Sequence, residues 1–131
     1  FPRLVSLKNQ AVGVVEQALP AGRFGPLQPD TPKGNIRHLK PHAASVATMD
    51  VPAQPAAILF PSFGHAPDVR PVPPAETFVR LTQASTNYVA LGERGFDALT
   101  RLVATVPAQA IDYPDTETAL AMVERLWEEV A

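Results

Sequence analysis

The amino-acid sequence predicts an α+β fold, as a single domain over residues 1–131 with short strands and about four helices. Apolar residues recur at helical spacing in the second half of the chain. Short apolar runs typical of strands do not alternate cleanly with those helices, so an α/β fold is the second choice. The 15 prolines fall mostly between Pro20 and Pro74, which favours extended segments and turns there.

The first third of the chain predicts a strand, a helix and a second strand. Residues 3–7 (RLVSL) form a short strand, and residues 9–19 predict a helix with Asn9 as its N-cap. The run PAG ends this helix, and residues 23–27 make a short extended piece. Residues 34–40 alternate imperfectly between apolar and polar side chains and predict an edge strand.

The middle of the chain predicts the clearest strand. Pro41 opens one or two helical turns. Residues 56–63 (AAILFPSF) form a nearly continuous apolar run, as in a strand covered on both faces, and a loop follows them. Helices are predicted over residues 75–85 and from about Glu93, and the run NYVALG joins them. We expect a structural junction there, with Asn87 capping a turn and Tyr88 half buried; the alternative is that both side chains contact a ligand.

The end of the chain predicts a short strand and a last helix. The strand covers residues 108–113, and Asp115 or Thr116 caps a helix that runs to Val130. Trp127 is expected to pack in the core or to dock a partner domain. The apolar face of the helix comprises Ala119, Leu120, Val123, Leu126, Trp127 and Val130.

Composition excludes several classes of protein. Cysteine is absent, which rules out disulfides and thiolate metal sites and fits a cytoplasmic protein. No apolar run reaches the roughly 18 residues that a membrane span needs, so no membrane partner is expected. Neither a signal-peptide pattern nor an initiating Met is present, so we expect a piece of a longer protein or a processed product. His38, His42 and His65 lack metal-site spacing.

Charge is distributed unevenly along the chain. Residues 1–42 hold six basic and two acidic side chains, whereas residues 43–131 hold five basic and eleven acidic ones. A basic first third indicates an anionic partner. Aromatic residues are not interleaved with these charges, so a small phosphate is favoured over a nucleic acid.

Two short segments are the candidate phosphate or substrate sites. In SLKN, Lys8 and Asn9 lie where a strand ends and a helix begins, and free N–H groups at a helix start attract anions. The alternative is that Lys8 is a solvated charge. No Walker A run and no G-x-S-x-G run occurs, so motifs leave the catalytic residues and the general base unknown and indicate no metal site.

The second segment is PKGNIRHLK. Gly34 allows close approach of the backbone to a ligand, and Lys33, Arg37 and Lys40 would converge on phosphate oxygens. His38 would donate or accept a proton. The alternatives are a charged edge strand that prevents sheet pairing, and an ordinary surface histidine.

Several runs resemble a known family. FPRLVSLKN, FGPLQPDTPKGNIRHLKP followed by SVA, AAILFP and NYVALGERGFDALTRLV occur in this order and cover nearly the whole chain. They are similar to the C-terminal part of HPr kinase-related proteins, the bacterial relatives of HPr kinase/phosphorylase grouped as the HPr-related A type. The resemblance implies the C-terminal portion of the fold shared by HPr kinase and phosphoenolpyruvate carboxykinase.

The resemblance also implies an activity for the full-length protein. Such proteins are expected to bind ATP and Mg²⁺ and to transfer a phosphoryl group to a protein serine, a peptide or a small molecule. Their phosphate loop lies upstream of the matching segment, so the upstream nucleotide-binding portion is an expected partner and the chain alone is expected to be inactive. Homo-oligomers are a further expectation. The alternative is a non-enzymatic interaction or scaffold module derived from that fold.

Overall fold

The computed structural model describes residues 3–130 and has an α+β fold, as the sequence predicted. These residues form five helices and six strands in two three-stranded sheets. They divide into two compact units, an N-terminal unit up to Ala53 and a C-terminal unit from Gln54. The single domain over residues 1–131 stays a prediction. Within residues 3–130, every helix is too short or too polar to cross a membrane.

The N-terminal unit is a small antiparallel sheet with two helices. Its elements are β1 (Val5–Lys8), α1 (Gln10–Ala18), β2 (Gln28–Thr31), β3 (Gly34–Leu39) and α2 (Ala43–Ala47). The strand order is β1-β3-β2, and both pairings are antiparallel. Leu7 of β1 and Val12 of α1 are its buried apolar residues. An isolated bridge joins Phe24 to Leu39, so the extended piece predicted before β2 also contacts the sheet.

β3 is the central strand of this sheet, so the predicted edge strand is wrong. It pairs with β1 on one side and with β2 on the other. The sequence did not reveal β2, because QPDT contains a proline and no large apolar residue. A proline is tolerated there because β2 lies at the edge of the sheet.

The start of α1 has the predicted position but an unusual backbone conformation. Asn9 precedes the helix but its side chain makes no capping hydrogen bond, and its backbone has a positive φ of 49°. A non-glycine residue in this conformation is strained unless its surroundings hold it. Asn9 therefore occupies the predicted N-cap position, but its side chain does not cap the helix and has another role described below.

The C-terminal unit places helices around a mixed sheet. Its elements are β4 (Ile58–Phe63), β5 (Asp68–Pro71), α3 (Pro74–Ala84), α4 (Tyr88–Thr105), β6 (Ala108–Tyr113) and α5 (Thr116–Val130). The strand order is β4-β6-β5, with β4 parallel and β5 antiparallel to β6. β5 occupies a segment predicted as loop, because DVRP lacks the apolar character of a strand.

The most buried strand is β6, not β4. Ala108 and Ala110 pack with Val72 on one face of β6, and Ile111 packs with the helix α5 on the other. β4 lies at an edge of the sheet and its residues are half buried or exposed. The prediction that β4 is covered on both faces is therefore wrong, although its position is confirmed.

α4 bends at a glycine. It runs from Tyr88 to Thr105, but Gly92 has a non-helical backbone with φ 54° and ψ −134°. The predicted junction is thus helical before Gly92 and continues as the predicted helix after it. Tyr88 is half buried and lies edge-on to Phe78 at a centroid distance of 6.1 Å, as expected. Asn87 precedes the helix without a side-chain bond to it, and its Oδ1 accepts a hydrogen bond from the Ser85 hydroxyl at 3.2 Å in the turn between α3 and α4.

α5 begins where the sequence predicted. The Asp115 carboxylate accepts a hydrogen bond from the backbone N–H of Thr118 at 2.8 Å, and this bond lowers the pKa of Asp115. Met122 and Leu126 bury the inner face of the helix. Trp127 is 61% exposed, so its predicted packing in the core is wrong.

Candidate functional site

Asn9 and Gly34, both predicted ligand contacts, lie against each other. The backbone N–H of Asn9 donates to the carbonyl of Asn35 at 2.8 Å, and the N–H of Asn35 donates to Asn9 Oδ1 at 3.0 Å. Gly34 has a φ of +84°, and a Cβ atom there would lie 2.2 Å from Asn9 Oδ1. The Asn9 side chain therefore ties the start of α1 to the start of β3 instead of capping the helix.

Lys33 lies in the tight turn between β2 and β3. The Thr31 hydroxyl donates to the carbonyl of Gly34 at 2.6 Å and accepts from the N–H of Lys33 at 3.2 Å. Lys33 itself is exposed. Lys40 follows the other end of β3, so the six strand residues between them separate the two lysines by roughly 20 Å. The predicted convergence of these two lysines is therefore not formed.

Arg37 is bound to groups of the chain itself. Its guanidinium pairs with the Glu16 carboxylate of α1, and its Nε–H donates to the carbonyl of Gly25 at 2.7 Å. The same group lies over the ring of Phe24 at 5.3 Å from the centroid. These contacts use the bidentate geometry that a phosphate would require. Arg37 consequently joins α1, β3 and the segment before β2.

The pairing register separates Arg37 from the other basic residues. Arg37 is opposite the buried Leu7, whereas His38 is opposite Ser6 and Lys8 is opposite Ile36. Directly opposite residues share a face and successive residues alternate between faces. Lys8 and His38 therefore project from one face of the sheet, and Arg37 projects from the other, beside α1.

Three basic residues surround one cavity in this unit. The cavity has a volume of about 240 Å³. Two backbone bonds hold its wall, from the N–H of Lys40 to the carbonyl of Arg23 at 2.9 Å and from the N–H of Gly25 to the carbonyl of His38 at 2.8 Å. We call it the basic cavity; its lining residues are Leu4, Arg23, Phe24, Gly25, His38 and Lys40.

The chemistry of the basic cavity suits an anion. Arg23, His38 and Lys40 are donors of hydrogen bonds when charged, and its lining includes no carboxylate. Two of the three were predicted site residues. Arg23 was missed because nothing in the sequence shows that the extended piece before β2 would return to the end of β3. The only sequence feature that pointed to Arg23 was its position in the basic first third of the chain.

A second charged cluster occurs in the C-terminal unit, where two carboxylates bind one arginine. Arg70 donates to Asp112 at 2.6 Å and to Asp68 at 2.8 Å. The hydrogen bond with Arg70 lowers the pKa of Asp112, and the bond with Asp112 raises the pKa of Arg70. With its one cation held by two carboxylates, this cluster is less suited to an external anion than the basic cavity.

Comparison of the chain with models of protein families, with curated proteins and with solved structures found no match. The role of the basic cavity is therefore inferred from its own chemistry. Among residues 3–130, no group of three or more His, Asp or Glu side chains is placed to hold a metal ion.

Proposed function

We propose that the chain is the C-terminal portion of a cytoplasmic, ATP-dependent phosphotransferase similar to HPr kinase, and that the basic cavity binds a phosphate group. The observation that carries this proposal is the grouping of Arg23, His38 and Lys40 around one cavity whose lining has no carboxylate. The resemblance of the sequence to HPr kinase-related proteins suggests phosphoryl transfer as the reaction. The basic cavity is the proposed binding site for the phosphate group.

The residues of the basic cavity suit the needs of phosphoryl transfer. That reaction depends mainly on positioning the phosphate and neutralising its charge. Arg23 would grip two phosphate oxygens, Lys40 would act as a point charge, and protonated His38 would donate a hydrogen bond. Lys8 shares the sheet face of His38 and adds a further positive charge nearby.

The remaining parts of the reaction fall to the upstream portion of the protein. The Mg²⁺ ligands are assigned to that portion, since residues 3–130 contain no group of three or more His, Asp or Glu side chains placed to hold a metal ion. The phosphate loop and the general base are likewise assigned to the upstream portion. The acceptor is a protein serine, a peptide or a small molecule.

A second candidate is a non-enzymatic interaction module. The exposure of large apolar residues on α5, above all Trp127, favours this function. Such a module would have no affinity for phosphate, so one titration separates the two candidates.

The test is a titration of the chain with inorganic phosphate and with Mg-ATP, followed by NMR shifts of the residues lining the basic cavity. We expect saturable shifts at Arg23, His38 and Lys40, which the double variant Arg23→Ala and Lys40→Ala removes. Lys33→Ala is the matched control, because this exposed lysine lies at the far end of β3 and should leave binding unchanged. Absence of saturation at about 10 mM, a binding free energy weaker than about 3 kcal/mol, overturns the proposal.

A further inference from the structure

The outer face of α5 carries an exposed apolar stripe. Its residues are separate from Met122 and Leu126, which hold the helix to its own sheet. Ten residues separate the first member from the last, so the stripe is about 15 Å long. We call it the α5 stripe; its members are Leu120, Val123, Trp127 and Val130, which are 57%, 37%, 61% and 36% exposed.

The same unit contains an apolar groove between α3 and α4. The groove has a volume of about 420 Å³. It extends along α4 across the bend at Gly92, and its straight part from Arg94 to Leu102 is about 12 Å long, close to the length of the α5 stripe. Among its lining residues are Leu81, Tyr88, Leu91, Leu99, Leu102 and a single charged residue, Arg94.

The charges beside the two surfaces are complementary. Arg94 and Arg101 are seven residues apart on α4, so they lie on one side of the helix about 10 Å apart. Glu117 and Glu124 have the same spacing on α5, and helical geometry places both, with Glu128, along the border of the α5 stripe. None of these five side chains forms an ion pair with another residue of the described range 3–130.

We propose that the groove binds the α5 stripe of a second copy of this chain. An amphipathic helix laid in an apolar groove is a common mode of recognition. The stripe turns away from the sheet of its own copy, because Met122 and Leu126 fix the orientation of α5. Reciprocal exchange between two copies buries both stripes and closes the assembly as a dimer. This inference is independent of the proposed phosphate site.

The first test is the oligomeric state of the chain between about 1 and 200 µM, a range over which mass action reveals a weak dimer. Sedimentation velocity should show a dimer that forms with concentration. Trp127 is the single tryptophan, so its emission should shift to shorter wavelength as the dimer forms. A monomer at every concentration overturns the proposal. A monomer whose Trp127 emission is already at short wavelength also overturns it, because the α5 stripe is then covered by another occupant.

Substitutions locate the interface. Val123→Asp places a charge in the α5 stripe and should raise the dimer dissociation constant at least tenfold. Val79→Asp is the matched control, since Val79 is an exposed valine that does not line the groove. Equal effects of the two substitutions on association would contradict the assignment. Far-UV circular dichroism establishes that both variants fold.

A charge exchange provides a second, independent test that does not place a charge in an apolar contact. Arg94→Glu should weaken association about tenfold, because it sets an acidic residue against the acidic border of the α5 stripe. Adding Glu124→Arg to this variant should recover most of the loss. A dimer that neither substitution affects uses another surface and contradicts the proposal.

Discussion

The contact between Gly34 and Asn9 gives the sharpest test of the N-terminal unit. A methyl group at position 34 would lie 2.2 Å from Asn9 Oδ1, and the backbone there has a φ of +84°. Gly34→Ala must therefore strain the turn and also displace the Asn9 amide. That amide accepts the N–H of Asn35, so the hydrogen bond is lost with it.

The size of the effect follows from these two costs. A non-glycine residue at positive φ costs about 1–2 kcal/mol. Loss of the hydrogen bond to Asn35 costs about 0.5–1.5 kcal/mol. Gly34→Ala should therefore lower the free energy of unfolding of the N-terminal unit by about 1.5–3.5 kcal/mol. In an Asn9→Gly background only the backbone cost remains, about 1–2 kcal/mol, so the two substitutions should be non-additive.

The assay can follow the two units separately, because the tryptophan and both tyrosines lie in only one of them. Trp127, Tyr88 and Tyr113 all belong to the C-terminal unit, so fluorescence follows that unit alone. Urea unfolding by far-UV circular dichroism, with amide exchange at Asn35, reports on the N-terminal unit. Gly34→Ala should shift the dichroism transition and leave the fluorescence transition in place. An unfolding cost below about 0.5 kcal/mol, or an equal cost in the Asn9→Gly background, would refute this reasoning.

Two further predictions concern charged side chains. Arg37→Ala should lower the stability of the N-terminal unit by about 1–3 kcal/mol in urea unfolding, because the contacts with Gly25, Glu16 and Phe24 are lost; an unfolding cost below about 0.5 kcal/mol would show that these contacts contribute little. Asp115→Ala should destabilise the C-terminal unit above about pH 5. The folded pKa of Asp115 is lowered, so this contribution is complete above the unfolded pKa and disappears as pH falls through the folded value. Asp115→Asn keeps an acceptor and should show a smaller, pH-independent change; a gap between wild type and Asp115→Ala that stays constant down to about pH 2 would contradict the assignment.

The positions of most elements followed from local sequence signals. Apolar periodicity located α1, α3 and α5 to within a few residues, and compact apolar runs located β1, β4 and β6. β2 and β5 were missed because their residues carry no such signal. They are strands because a neighbouring strand supplies the hydrogen-bonding partner, which is a non-local condition.

The candidate site was predicted only in part. The basic first third identified the correct unit, and His38 and Lys40 indeed line one cavity. Arg37 was expected beside Lys40, but alternation along β3 directs it to the opposite face, where Glu16 binds it. The sequence shows that Arg37 and Lys40 are present, but strand register decides which other residues each of them contacts.

By itself, the sequence determined the fold class, the positions of most elements and the segregation of positive charge into the first third of the chain. These properties depend on residue type and on spacing within one element, which can be read locally. Only the tertiary structure decided that β3 is central, that Arg23 joins His38 and Lys40, and that Trp127 is exposed on α5. Each of these features depends on which distant segment of the chain lies beside a given residue. Strand pairing and the rotation of each helix about its axis determine those neighbours, and both depend on contacts between segments far apart in the sequence.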